Sequence, residues 1–344
     1  MRTVSAIRSA VISALSRSDQ IRSRSCPNCY LCKTVGTLLY EGLKDRLFGA
    51  PGSWNLKRCP NPSCGLIWLD PMPIELDIAK AYERYYTHEP EPNNHPRSRE
   101  ARVKRAKAGL AWLYQYCWRL TPLYWEQRKL DLMCLDGRSP GRVLEVGCGN
   151  GQRLAQLRAL GWKIQGQEVD EKAAAQARRI FGVPVFLGDL DRAGFQDEEF
   201  DAVVMNHVLE HVHDPVRLLV ECKRVLKAGG SLVSITPNAQ GWGHSRFGAC
   251  WYGLDPPRHL LLYSRSTLAQ LALKCGFRDV RAWTTAAHSL WIVVGSLRIE
   301  CGEVQDMWPV IKRGIRQAAL HAAAVAARLR DPDSGEECVL HASR

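Results

Sequence analysis

An open α/β fold, with helices packed on both faces of a largely parallel sheet, is predicted by three observations. A short apolar run, Arg142-Val-Leu-Glu-Val146, breaks into glycines at 147, 149 and 151 directly before a helix-forming segment. Five strand-like segments alternate with helical ones between residues 142 and 238, the order that builds a parallel sheet. One of them, Phe200-Asp-Ala-Val-Val-Met-Asn206, is nearly continuous in apolar residues, as a strand buried on both faces must be.

Each element has a local reason. The glycine turn between the first strand and the helix Gln152 to Leu160 is expected to leave backbone N–H groups and a positive helix end facing a ligand. Its spacing, Gly147-x-Gly149-x-Gly151, differs from the dinucleotide fingerprint in its last glycine, and Glu145 just upstream would repel a pyrophosphate. The second strand, Lys163 to Glu168, ends in an acid seventeen residues past Gly151, near the spacing of a ribose-binding carboxylate. The third, Val183 to Leu187, runs into Gly188-Asp189-Leu190. After the fourth strand comes Asn206-His-Val-Leu-Glu-His211, then a helix that starts at Asp214-Pro215, with Asp as N-cap and Pro at the first position, and runs to Leu226. Lys227-Ala-Gly-Gly230 is read as its end and Ser231 to Asn238 as the fifth strand. Phe277 to Trp283 and Glu336 to Ala342 complete the sheet as its last two strands, and between them the Ala-rich stretch Met307 to Arg330 favours a long helix.

In this order the residues closely resemble the class I S-adenosylmethionine-dependent methyltransferases, whose first motif reads much like Val143-Leu-Glu-Val-Gly-Cys-Gly-Asn-Gly151. The resemblance implies a Rossmann-like sheet over residues 139–344 that ends in an antiparallel hairpin inserted between strands five and six; in this chain the last two strands stand well apart in sequence, and a helical insertion is expected between them near 285–331. It implies that Glu145, Gly147, Cys148, Gly149 and Gly151 hold the methionine part of S-adenosylmethionine, Glu168 the ribose, and Asp189 with Leu190 the adenine. Asn206 opens the loop expected under the methionine end. An acid suits that cofactor, which carries an ammonium and a sulfonium and no phosphates.

Upstream, Cys26-Pro-Asn-Cys29 and Cys59-Pro-Asn-Pro-Ser-Cys64 form two short-spaced cysteine pairs that can supply four thiolates in a tetrahedron. Structural zinc held by Cys26, Cys29, Cys59 and Cys64 is the expectation, with Cys32 a competing ligand. The segment 26–86 also resembles a zinc-ribbon-like module that precedes the methyltransferase domain in a group of these enzymes, on Cys64-Gly-Leu-Ile-Trp-Leu-Asp-Pro71 and Ala81-Tyr-Glu-Arg-Tyr-Tyr86. Four thiolates leave no open position for water, so the metal is expected to fold the module and take no part in chemistry.

Composition sets the surroundings. The formal net charge is +12 over 344 residues, and the first 64 residues hold ten Lys or Arg against three acids. Residues 1–25 read as a basic flexible tail whose composition overlaps with a transit peptide. Most of the thirteen cysteines are scattered in apolar segments, which fits a reducing cytoplasm. Residues 87–99 read as a linker, and 100–138, rich in Trp and Tyr, as a helical cap. The basic stretch within 307–330 is read as a lid or dimer helix, with contact to a membrane surface as the alternative.

The acceptor is expected in the loop Gly241 to Ser264, which lies beyond a strand's carboxyl end and carries Trp242, His244, Trp251, Arg258 and His259. His259 is the candidate base, with His207 and His211 as rivals. The sequence thus points to methyl transfer by direct displacement onto a small-molecule or carrier-linked acceptor. An RNA methyltransferase gripping phosphate through its basic front, and a zinc-containing interaction protein with an inactive cofactor fold, are the alternatives.

Overall fold

The computed structural model describes residues 20–83, 122–301 and 310–344, the side chains of 310–315 excepted. The predicted linker 87–99, residues 1–19 of the predicted tail and most of the predicted cap lie outside them.

The front of the chain is a small β unit. Strands β2 (Thr37–Leu43), β3 (Trp54–Arg58) and β4 (Ile67–Leu69) form an antiparallel sheet, and β1 (Ser23–Arg24) pairs with β5 (Met72–Pro73). The predicted tail therefore stops short of residue 25: Arg22 donates through its backbone N–H, Nε and Nη2 to the carboxylate of Asp77, at 2.8 to 3.0 Å.

After α1 (Pro122–Asp131), the described part of the predicted cap, comes the main alternation. Its elements are β6 (Arg142–Val146), α2 (Gln152–Ala159), β7 (Lys163–Glu168), α3 (Glu171–Phe181), β8 (Val185–Leu187), β9 (Phe200–Asn206), α4 (Pro215–Val225) and β10 (Leu226–Pro237). Then follow α5 (Trp242–Phe247), β11 (Leu261–Leu262), α6 (Arg265–Lys274), β12 (Arg278–Thr285), α7 (Ser289–Cys301), α8 (Val310–Arg330) and β13 (Glu337–Ser343). Seven strands form one sheet in the order β12-β13-β10-β9-β6-β7-β8, with β13 antiparallel to both its neighbours and the remaining pairs parallel. The last strand is thus inserted between the fifth and sixth, as expected.

Alternate residues of the central strands enter two cores. Leu144, Val146, Val203, Met205 and Leu232 pack on one side, and Val143, Ala202, Val204, Val233 and Ile235 on the other, against Leu154, Leu157 and Ala177 of the helices. Both faces are covered, which is why β9 tolerates so few polar residues. Helix starts follow their caps. Asp170 accepts from Lys172 N and Ala173 N, Asp214 accepts from Arg217 N ahead of Pro215, and Ser264 and Thr267 cap α6 reciprocally.

Two strand boundaries differ from expectation. Lys227 to Gly230 belong to β10, not to the end of a helix: the chain leaves α4 at Val225, and the register against β9 jumps between Leu226 and Ser231 while Gly229 takes a φ of 73°. Such a bulge looks like a helix stop in sequence because both use glycine. The third strand begins at Val185, not Val183, because Pro184 has no N–H to give the ladder and offers only its carbonyl, which accepts from Gly166 N at 2.8 Å.

The front unit is not free-standing. Strand β11, from the predicted acceptor loop, pairs antiparallel with β4, Leu261 opposite Trp68 and Leu262 opposite Ile67, so the four-stranded sheet runs β11-β4-β3-β2. Arg258, fully buried, ties the same two parts together. Nη1 lies 2.9 Å from Asp45 Oδ2 and from the Ala81 carbonyl, and Nε lies 2.9 Å from Asp255 Oδ2.

Candidate functional site

The glycine turn is built by the strand beside it. Gly147, Gly149 and Gly151 take φ values of 65°, 53° and 79°, where a side chain is strained. At Gly151 there is no room either: an added Cβ would lie 2.9 Å from Ala177 Cβ of α3. Most N–H groups of the turn are not left for a ligand. Gly147 N donates to Gln167 Oε1, Cys148 N to the Gln167 carbonyl, Gly149 N to Glu168 Oε2 and Gly151 N to the Cys148 carbonyl. This corrects the expectation of unpaired donors, and its cause is chemical: β7 ends in Gln-Glu, two side chains that accept.

Glu168 is the hinge of this arrangement. Besides Gly149 N at 2.7 Å, its carboxylate takes Val169 N and Asp170 N on Oε1 at 2.8 and 3.0 Å. Oε1 is thereby filled, and Oε2, with one donor, keeps a lone pair for a further one. Glu145 is 1% exposed; Arg153 Nη1 sits 2.7 Å from its Oε1, while Oε2 is buried without a hydrogen-bond partner. Burial pushes this carboxyl up, against the pull of Arg153. Sequence reading missed Arg153 because its role depends on one turn of α2 folding back over β6.

The other predicted cofactor residues are placed unevenly. Asp189 is exposed, near Arg192, and Leu190 beside it is buried. Asn206 ends β9, half-buried. Cys148 disagrees with its expected role: its thiol packs into the core on the side where Gly166 leaves room, and a Cβ there would lie 2.7 Å from Sγ. With its N–H also spent, neither group of Cys148 is turned to a ligand.

Beyond β9, His207 and His211 of one short loop meet His259 from a distant segment around Glu210. His207, at a φ of 54°, lies between two carboxylates, Nδ1 3.0 Å from Glu210 Oε1 and Nε2 2.9 Å from Glu337 Oε1. Burial opposes its charge, but the two acids outweigh burial and raise it to about 10. Held as an imidazolium, His207 has no lone pair with which to act as a base. Glu337 also accepts from His288 Nδ1 at 2.7 Å. Buried Glu210 is held down to about 2 by His207, against the cost of its burial, and its Oε2 accepts from Thr236 Oγ1 at 2.9 Å. His211 and His259 meet edge to face, with ring centroids 4.7 Å apart. Burial, with His259 adding to it, lowers His211 to about 4, so this ring is neutral. Glu337, His288 and Thr236 carry no sequence motif; the strands that hold Glu337 and Thr236, and the turn after β12 that holds His288, bring them here.

The front unit gathers Cys29, Cys32, Cys59 and Cys64 within 4.8 Å of one another. Cys29 Sγ lies 3.6 Å from Cys64 Sγ and Cys32 Sγ 3.3 Å from Cys59 Sγ, near the roughly 3.8 Å edge of a zinc tetrathiolate with bonds of about 2.3 Å. Cys26, expected as a ligand, stands outside the group and Cys32 replaces it. The reason is a tight turn: Cys29 N donates to the Thr34 carbonyl and Lys33 N to the Cys29 carbonyl, with Lys33 at a φ of 64°. That turn brings Cys29 and Cys32 to one side. Cys26 is drawn off by its N–H to Asp70 Oδ1 at 2.7 Å and its carbonyl to Trp68 Nε1.

Comparison with known proteins agrees with this architecture. A family model described as a methyltransferase domain matches residues 118–282. The chain carries a class I S-adenosylmethionine-dependent methyltransferase domain. It is 35% identical over 118 residues to a probable S-adenosylmethionine-dependent methyltransferase of Mycolicibacterium smegmatis, a match covering 33% of this chain and 46% of that protein. It is 34% identical over 126 residues to a ubiquinone biosynthesis O-methyltransferase of Thiobacillus denitrificans, covering 34% of this chain and 54% of that protein. The chain spans about half the length of the curated relatives it matches. A solved S-adenosylmethionine-dependent methyltransferase from Archaeoglobus fulgidus aligns at 19% identity and a TM-score of 0.43, over 68% of this chain and 99% of that one. Among the described residues no helix is long and apolar enough to cross a membrane.

Proposed function

We propose that this chain transfers a methyl group from S-adenosylmethionine to a small-molecule or carrier-linked acceptor. The observation that carries the reading is the Glu168 carboxylate, buried at the end of β7 and bonded to the N–H of Gly149. It fastens the turn and keeps a lone pair on Oε2 that suits a ribose hydroxyl. The unpartnered Oε2 of Glu145 fits an ammonium group, and the absence of a Cβ at Gly149, where nothing lies within 4 Å, leaves close approach to the backbone. A turn with most of its N–H groups already engaged is poorly made for pyrophosphate, which favours this cofactor over a dinucleotide.

In this reading Asp189 and Leu190 flank the adenine, and Asn206 lies beneath the methionine end. When bound, S-adenosylmethionine supplies an electrophilic methyl that an acceptor lone pair displaces in line. The protein's share is to align the acceptor and exclude water at the carboxyl edge of the sheet, where the segment Gly241 to Ser264 folds over it. The O-methyltransferase among the relatives supports an acceptor of small-molecule size. The front unit holds zinc in a structural role, through Cys29, Cys32, Cys59 and Cys64.

Calorimetry with S-adenosylhomocysteine tests the cofactor assignment. The unmodified protein is expected to bind, and Glu168→Ala to weaken binding at least about tenfold, which corresponds to about 1.4 kcal/mol. No binding by the unmodified protein, or equal affinity in a folded Glu168→Ala, overturns it.

A further inference from the structure

We infer that Glu210, His211 and His259 form a binding site for a divalent cation of the manganese, iron or zinc type, separate from the four-cysteine cluster. One carboxylate oxygen of Glu210 and one ring nitrogen from each histidine lie within 4.8 Å of one another. Two imidazoles and a carboxylate are a donor set that such cations take, leaving further positions open.

The orientation of the rings carries the argument beyond proximity. A carbonyl only accepts, so His259 Nδ1, 2.8 Å from the Gly253 carbonyl, bears the hydrogen. His211 Nδ1, 3.1 Å from the Arg258 carbonyl, does the same, with the Tyr82 hydroxyl 2.9 Å away. His259 thus presents Nε2 as a lone pair, and His211 does so where the Tyr82 hydroxyl accepts from its ring; among the described residues no hydrogen bond holds either Nε2, and Asp255 Oδ2 stands 4.0 Å from that of His259. An N–H fixed to a backbone carbonyl, with the opposite nitrogen bare, is the arrangement of metal-ligating histidines. Glu210 is fixed in the same manner by His207 and Thr236, each on a different oxygen, so each oxygen retains a lone pair.

The backbone joins the two halves of the site. Leu260 N donates to the Glu210 carbonyl at 2.7 Å, and both Arg258 N and His259 N donate to the Asp255 carbonyl. The Arg258 carbonyl that orients His211 is itself immobile, because its side chain is buried among Asp45, Asp255 and Ala81. Two imidazoles and a buried carboxylate held this firmly would otherwise be polar groups brought together without a shared partner.

The site lies beside the cofactor turn. A Cβ added to Gly147 would come 2.7 Å from Val208 Cγ2, two residues before Glu210. A cation here would draw an acceptor bearing oxygen donors to the edge of the sheet where the methyl is delivered, a role that rests on the methyl-transfer reading.

The test uses the full chain, dialysed against a chelator and then against metal-free buffer. Mn2+ alone is titrated while its free form is followed by electron paramagnetic resonance; manganese prefers nitrogen and oxygen donors and leaves the thiols to zinc. One saturable Mn2+ per chain is expected, with affinity reduced about tenfold or more in His259→Asn and in the isosteric Glu210→Gln. No saturable site in the unmodified protein, or unchanged affinity in both variants, overturns the proposal. S-adenosylhomocysteine binding measured on the same samples separates the two ideas. Retained nucleoside binding without Mn2+ binding sinks the cation site alone. Mn2+ binding that both substitutions abolish, without nucleoside binding, upholds the site and sinks the methyl-transfer reading.

Discussion

Glu336 shows how a single buried acid couples the chain to pH. Burial pushes its carboxyl up to about 8, from an ordinary 4.5, in spite of the Gly243 N–H that donates to Oε1 at 2.8 Å. Between those two values the folded protein binds a proton that the unfolded chain releases, so this residue's contribution to stability is complete below about 4.5 and is lost as pH rises through about 8. Glu336→Gln, which keeps the shape and removes the charge, should therefore be more stable than the unmodified protein at pH 8 to 9, by on the order of a few kcal/mol, and nearly equal to it near pH 5. Thermal melts of both proteins across that range check the difference; parallel curves would contradict it. Nothing adjacent to Glu336 in sequence foretells this, because its neighbours Gly243 and Trp251 arrive from a separate segment.

At the scale of elements, α4 serves both parts of the molecule. Its N-cap, Asp214, accepts from Arg217 N at 3.0 Å and also from the hydroxyl of Tyr30, in the front unit, at 2.6 Å. Asp214→Ala should cost about 1 to 2 kcal/mol through the lost cap, Tyr30→Phe about 1, and the double variant less than their sum, by about 0.5 kcal/mol or more. Denaturant titrations of the four proteins measure the coupling; strict additivity would mean that Tyr30 does not use the cap. The cap and its proline were legible because they act within four residues. The strand boundaries at Val185 and Leu226 were not, since Gly229 and Pro184 act through the neighbouring strand and turn in ways that a window of sequence does not contain.

Across the whole molecule, the front unit and the segment above the sheet edge share one β-sheet through β4 and β11. Zinc at Cys29, Cys32, Cys59 and Cys64 would therefore hold more than its own turn. Removing it, by chelation under mild denaturant or by Cys59→Ser, should raise amide exchange at Leu260 to Tyr263 as well as in β3 and β4, and leave β6 and β9 protected. Exchange confined to residues before 70 would show that the two parts stand independently. Much of this architecture was open to sequence reading. The glycine turn, the acid at the end of β7 and the alternation of strands follow from backbone freedom and from short periodicities that each segment carries alone. Even the insertion of β13 between β10 and β12 agreed with expectation.

What sequence by itself determined is therefore the sheet, its helices and the location of the cofactor turn, because glycine conformation, capping and alternating burial are local physics. The tertiary structure alone decided that the N–H groups of Gly147, Cys148 and Gly149 are taken by Gln167 and Glu168, that Cys32 and not Cys26 completes the thiol group, and that His207 is held as a cation. It also decided that His259 meets Glu210 and His211. The physical reason is the same in each case: the spacing of donors and acceptors a few ångströms apart is set by chain segments far apart in sequence, and only packing brings them together.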